Sequence, residues 1–297
     1  MVRMIRPLAV LTAVLLAGCG SPPVAAPAPA PSSVAPPVAV DLGFDELEER
    51  FGARLGVHAI NTGTGRMVSY RAGERFAHAS TFKALLAGVL LRTLSDADLE
   101  QVVTYRKADL LEWAPVTSRH VGSGMRVDEL IAAAVQYSDN TAANLLLDEI
   151  GGPKGLQEQL RALGDDTTNT SRDEPSLNEA TPGDKRDTST PKALAETLNR
   201  LALGDALPVP RREKLIELLV GNTTGDTYIR AGVPTGWQVG DKTGSGGYGT
   251  RNDIAVAWPP GGDPLVIAIQ SDRGRPNAPS DDALIAEATR TIVEALR

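Results

Sequence analysis

Ser80 and Lys83 stand one helical turn apart in A-H-A-S-T-F-K-A-L-L-A-G-V-L-L, residues 77–91. From Phe82 to Leu91 every side chain except Lys83 is apolar or absent. That is the pattern of a helix buried on all sides. A buried ammonium is costly unless something requires it. A serine hydroxyl supplies one reason. It is a weak nucleophile at neutral pH and needs a base beside it or a lowered pKa. Residues i and i+3 of a helix share a face, so Lys83 can reach the Ser80 hydroxyl. Burial lowers the pKa of an amine and makes it a usable proton acceptor. A serine at a helix start also feels the positive end of the helix dipole.

A Ser-x-x-Lys match arises about once by chance in a chain of ordinary composition and this length. Its weight comes from Ser138-Asp139-Asn140 and Lys242-Thr243-Gly244, each expected less than about 0.1 times by chance. Each has a plainer reading, the first as a helix N-cap and the second as a strand end. Together, in order, they point to a serine served by polar groups, with Lys242 as a second cation that would depress Lys83 further.

Other chemistries are excluded. His58, His78 and His120 form no metal-binding spacing, and no metal is expected. No G-x-S-x-G elbow occurs. No glycine-rich loop follows a strand with phosphate-binding spacing. The net charge is −7 and no Lys/Arg-rich run exists, which excludes nucleic acid as a partner.

The elements that must position these residues follow from periodicity. With 297 residues, 42% of them hydrophobic, the chain can bury a sizeable core. Residues 43–53 read as a helix. Residues 54–60 and 66–71 read as strands joined by Asn61-Thr62-Gly63-Thr64-Gly65. Helices are predicted over 80–93, 127–137, 140–150, 154–163, 191–203 (Thr190 as N-cap, Pro191 first) and 210–220. Strands follow over 237–242, 253–258 and 264–271, then a helix over 280–296. The fold class is therefore α+β: a five-stranded antiparallel sheet built from both chain ends and flanked by helices, with an all-helical part inserted. The α/β part spans about 41–72 and 221–297, the helical part about 73–220. Residues 164–187 show no periodicity, and a run this long inside a domain is usually functional. Arg172 and Asp187 are placed to close its neck as an ion pair.

The N-terminus reads as an export signal over residues 1–18, with Arg3, Arg6 and a short apolar run. Leu16-Ala17-Gly18-Cys19 resembles a bacterial lipobox, in which Cys19 is lipidated. It holds the chain's only cysteine, so no internal disulfide is available. Seven prolines in residues 22–40 make 19–40 an extended tether reaching up to ~60 Å. The expectation is a catalytic domain, 41–297, anchored to the outer face of a bacterial membrane.

The three motifs resemble those of the serine β-lactamase and penicillin-binding protein superfamily. Arg172-Asp173-Glu174-Pro175-Ser176-Leu177-Asn178 resembles the omega loop of class A β-lactamases. The likeness takes in residues 109–117 and 240–253 and runs over essentially all of 41–297. It implies that Ser80 attacks the lactam carbonyl with Lys83 as partner, and that Ser138 relays a proton to the leaving nitrogen. It implies that Asn140 holds the substrate's side-chain amide, and that the backbone N–H groups of Ser80 and Ser245 form the oxyanion hole. Glu174 would activate the deacylating water, with Asn178 helping to hold it. Lys242, Thr243, Gly244 and Ser245 would bind the substrate carboxylate with Arg251, for which Arg230 is the competing arginine. Trp113 would wall the entrance. No cofactor is implied, and family members are usually monomers. Whether Lys83 or Glu174 is the acylation base stays open. Two other classes share the motifs: a D-alanyl-D-alanine peptidase, and a sensor that stays acylated. Neither needs the loop glutamate, and a sensor would usually carry a transmembrane signalling segment.

Overall fold

Strands from both ends of the chain build the principal sheet. A computed structural model describes residues 42–297; the export segment, Cys19 and the proline-rich stretch lie outside the described residues. The first elements are α1 Phe44–Phe51, β1 Arg54–Asn61, β2 Met67–Tyr70 and β3 Phe76–Ala77. The middle holds α2 Phe82–Thr93, α3 Asp96–Glu100, β4 Val102–Val103, β5 Met125–Arg126, α4 Val127–Gln136, α5 Asn140–Asp148 and α6 Gly152–Ala162. Then come β6 Thr188–Ser189, α7 Pro191–Ala202, α8 Val209–Val220 and α9 Ile229–Gly232. The chain ends in β7 Gln238–Ser245, β8 Arg251–Trp258, β9 Leu265–Asp272 and α10 Ala283–Leu296.

The sheet order is β2-β1-β9-β8-β7, every neighbouring pair antiparallel. Residues 254–258 of β8 and 265–269 of β9 are continuous apolar runs because both faces of the sheet are covered. Ile254, Val256, Val266 and Ala268 face the helices α2, α4, α5, α7 and α8. Their neighbours Ala255, Ala257, Ile267 and Ile269 point the other way, onto α1 and α10. The period of two along each strand thus sorts side chains between two cores.

Helix α2 runs through the larger core, with Phe82–Leu91 buried, Lys83 included. Gly88 lets α7 approach it: a Cβ there would stand 2.6 Å from Leu201 Cδ1. Burying Leu85, Leu86 and Leu90 stabilises this packing by roughly 1.5–3 kcal/mol each. Thr190 caps α7 as expected, accepting from Ala193 N at 3.1 Å. The inserted region is not purely helical. It contributes β6, which pairs with β3, and the two-residue ladder β4–β5.

Residues 164–187 are ordered without regular periodicity, apart from a 3-10 turn at Ser176–Glu179. Side-chain bonds to backbone replace a ladder. Asp165 accepts from Thr167 N and Thr168 N at 3.0 and 2.8 Å. Asp187 accepts from Ser171 N, Arg172 N and Arg172 Nε at 2.8, 3.0 and 2.6 Å. Leu177 plugs the loop into the larger core.

Candidate active site

A 3-10 turn, Ala79–Thr81, leads into α2 and carries Ser80. Ala79 holds a φ of 45°, a left-handed conformation that persists only where the surroundings enforce it. Here Asn252 on β8 donates to the carbonyls of Ala77 and His78 at 2.8 and 3.2 Å, and Thr81 Oγ1 to that of His78 at 2.6 Å. Ser138, between α4 and α5, also has a positive φ, 56°. Asp139 behind it is fully buried. It caps α5 through Ala142 N at 2.9 Å and accepts from Val116 N and Thr117 N at 3.0 and 2.9 Å. The central residue of this motif is therefore a structural tie, and its neighbours face the chemistry.

Six of the predicted residues, Ser80, Lys83, Ser138, Asn140, Glu174 and Lys242, converge in one network. Ser80 Oγ donates to Glu174 Oε1 at 3.4 Å. Lys83 Nζ lies 3.0 Å from the same oxygen. It also donates to Asn140 Oδ1 at 2.6 Å, Ser138 O at 2.8 Å and Ser138 Oγ at 3.4 Å. Lys242 Nζ reaches Ser138 Oγ at 3.1 Å and Thr243 O at 2.8 Å. The Ser138 hydroxyl thus sits between two ammonium groups.

Lys83 does not meet the expectation of an amine bonded to Ser80. Its bonds go to Ser138, Asn140 and Glu174, while the serine's hydroxyl turns to Glu174. Burial pushes Lys83 below its ordinary pKa, and Glu174 and Asp139 oppose this. Four oxygens around Nζ use all the donors of an ammonium, which has no acceptor to offer. The repulsion between the two lysines is mutual, and its effect is marked on Lys242. Lys242 is pushed down to about 7, first by burial and then by the charge on Lys83.

Glu174 is held from three sides. Asn144 on α5 grips its peptide, donating to Glu174 O at 2.8 Å and accepting from Glu174 N at 2.9 Å. Asn178 Nδ2 donates to Oε2. Asn178 Oδ1 is buried with no hydrogen-bond partner, leaving an acceptor beside the carboxylate. At the loop neck Arg172 pairs with Asp187 at 2.6 Å and with Glu179.

A cleft of about 360 Å³ opens over these groups. Ser80, Ser138, Asn140, Asn178, Thr243, Gly244, Ser245, Arg251 and Trp113 line it, with Thr224 and Tyr228. Trp113 is 56% exposed and its Nε1 donates to Tyr137 O at 3.1 Å. Arg251 is steadied by Asp282 at 3.0 Å. Arg230 is not in the cleft lining; it is spent on Asp241 at 2.6 Å and on the carbonyl of Val220.

The family model for the β-lactamase enzyme family matches residues 43–296. The chain belongs to that family. Among similar β-lactamases, one from Bacillus licheniformis is 52% identical over 283 residues, 95% of this chain and 92% of that protein. One from Amycolatopsis lactamdurans is 54% identical, over 91% and 89%. A halotolerant bacterial β-lactamase superposes with a TM-score of 0.85 at 54% identity, covering 86% of this chain and 98% of that one. A class A β-lactamase from Clostridium kluyveri gives 0.84 at 49% identity, covering 85% and 97%. The five-stranded α+β fold and the class A assignment rest on these likenesses together.

Some residues of this class A β-lactamase site escape a motif reading. Asn144 lies four residues after Asn140, on the same face of α5, and that spacing was the available signal. Asn252 was marked by a polar pair, Asn252-Asp253, opening an otherwise apolar strand. Thr224, bonded to Thr243 Oγ1 at 2.6 Å, and Tyr228 carried no signal, since they come from an irregular stretch before α9.

Proposed function

We propose that this enzyme hydrolyses the amide bond of penicillins and cephalosporins through an acyl-enzyme on Ser80, and so confers resistance to them. The observation that carries this is the shared oxygen of Glu174, 3.4 Å from the Ser80 hydroxyl and 3.0 Å from Lys83. Ser80 Oγ attacks the lactam carbonyl carbon and gives its proton to Glu174, the base its hydroxyl already faces. The backbone N–H groups of Ser80 and Ser245 receive the oxyanion. The carbon–nitrogen bond breaks as Ser138 passes its proton to the nitrogen; Lys83 replaces that proton, and Glu174 returns the proton it took from Ser80 to Lys83, becoming a carboxylate again. Glu174 then takes a proton from water, whose oxygen attacks the ester, and Ser80 leaves reprotonated. Asn140 commits its oxygen to Lys83, so its amide N–H groups remain for the substrate's side chain. Lys242, Thr243, Ser245 and Arg251 hold the substrate carboxylate.

The test is hydrolysis of a chromogenic cephalosporin with mass spectra taken within seconds and again after minutes. Turnover with free enzyme recovered supports the reading. A lasting one-to-one adduct would transfer the protein to the sensor or peptidase class.

The export signal and lipobox support a second proposal, that the enzyme works as a monomer anchored through lipid on Cys19 to the outer face of the cell membrane. Cys19→Ala should release it from membranes with hydrolysis intact. Retention of that variant on membranes would sink the lipid assignment.

A further inference from the structure

A second cavity, about 530 Å³, lies along the outer side of the omega loop. One wall is the loop's second half, Thr181–Asp184 and Arg186; the other is the end of the sheet at Arg54, Asp272 and Arg273. Five arginines line it, Arg54, Arg75, Arg172, Arg186 and Arg273, against Asp184 and Asp272.

Three of the arginines are neutralised: Arg54 by Asp272 and Glu74, Arg172 by Asp187 and Glu179, and Arg186 by Asp184. The other two are not. Arg75 donates to Thr188 O, Thr188 Oγ1 and Thr167 O. Arg273 donates to Gly249 O at 3.0 Å. Among the described residues neither forms an ion pair, and both are half-buried. Asp272 and Asp281 act on Arg273 only from beyond ion-pairing distance, so two partly desolvated guanidinium groups face a concave site with no carboxylate bound to them. A planar guanidinium matches the paired oxygens of a phosphate group.

We propose that this groove binds a phosphate-class anion, which bridges Arg75 and Arg273 and ties the outer side of the omega loop to the sheet. The site is separate from the Ser80 cleft and is read without substrate, so it stands or falls independently of the hydrolytic reading.

The test is a titration of the full chain with pyrophosphate, followed by amide NMR, against sodium chloride at equal ionic strength. Saturable shifts are expected at residues 181–186 and 273–274. Arg273→Gln should weaken binding about tenfold, the loss of one charge-assisted contact. Arg75→Gln should do the same; because Arg75 also holds backbone, Arg186→Gln serves as a milder neighbour, with a smaller loss. Shifts confined to Ser138, Thr243 and Ser245, or equal affinity in Arg273→Gln, would overturn the proposal. Vesicles of phosphatidylcholine with and without phosphatidylglycerol locate the source. Arginine-dependent binding to the anionic vesicles puts the phosphate on a lipid headgroup. Pyrophosphate binding without it makes the ligand a soluble anion.

Discussion

Lys83 Nζ and Glu174 Oε1 form an ion pair at 3.0 Å in which both side chains are fully buried. Taking two charges out of water costs several kcal/mol each, and their attraction repays this only with further hydrogen bonds. Those bonds exist, from Ser138 and Asn140 on one side and Asn178 on the other. Such a pair is a poor device for stability, since an apolar pair of similar volume is often as stable. Its position against Ser80 gives it a use. Glu174→Ala removes the charge that holds Lys83 protonated, so Lys83 becomes the base for acylation and Ser80 should still acylate, while release of the acyl group slows by roughly 10²–10⁴, the span of a lost general base. Mass spectrometry should find the adduct as the dominant species. Wild-type turnover in this variant would remove Glu174 from the mechanism.

A pH effect follows from Lys242. Burial and the charge on Lys83 bring it down to about 7. Below that pH it is an ammonium that can attract the substrate carboxylate; above it the charge is lost. The ratio kcat/KM should therefore fall on the alkaline side, with a midpoint near 7 in the free enzyme. A methyl ester of the same substrate should show a flatter limb. An identical profile for acid and ester would show that Lys242 does not meet the carboxylate as a cation.

What could be read from residue types was what repeats. Helix α2 is legible because ten consecutive residues are buried, and β8 and β9 because both faces of the sheet are covered. The expected end of β7 at Lys242 is short by three residues, because Gly244 reads as a break. In the fold it is a need: a Cβ there would stand 3.0 Å from His78 O, so the strand passes beneath the Ser80 turn only as glycine. The ladders β4–β5 and β3–β6 are two residues long and carry no alternation. Helix α3 was missed although Ser95 and Asp98 form a capping box at its start. The loop from 164 to 187 is held by individual side-chain bonds, which have no period to detect. The arginine groove gathers positions 54, 75, 172, 186 and 273, which only the fold brings together.

The neck of that loop gives a stability prediction. Asp187 is buried and takes three donors from Ser171 and Arg172. Asp187→Ala leaves them unpaired and should cost about 3–5 kcal/mol. Amide exchange at residues 171–172 should rise, and deacylation should slow as Glu174 loses its fixed position. Unchanged exchange there would mean that Leu177 in the core holds the loop without the neck.

Asn144 tests positioning apart from chemistry. It touches only the backbone of Glu174, accepting from its N–H and donating to its C=O. Asn144→Ala removes both bonds without altering the carboxylate, Lys83 or Ser80 chemically. Each lost bond should cost about 1 kcal/mol of stability. The larger effect should be on kcat, because a displacement of about 1 Å in a catalytic group can cost roughly 10²-fold. KM should change less, since Asn144 is not among the residues lining the cleft. Asn144→Asp offers a control: it retains an acceptor for Glu174 N but loses the donor to Glu174 O. Its kcat should fall between those of the wild type and Asn144→Ala. If KM rises instead and kcat holds, Asn144 supports substrate binding through α5, and the placement of Glu174 depends on Asn178 and the loop neck alone.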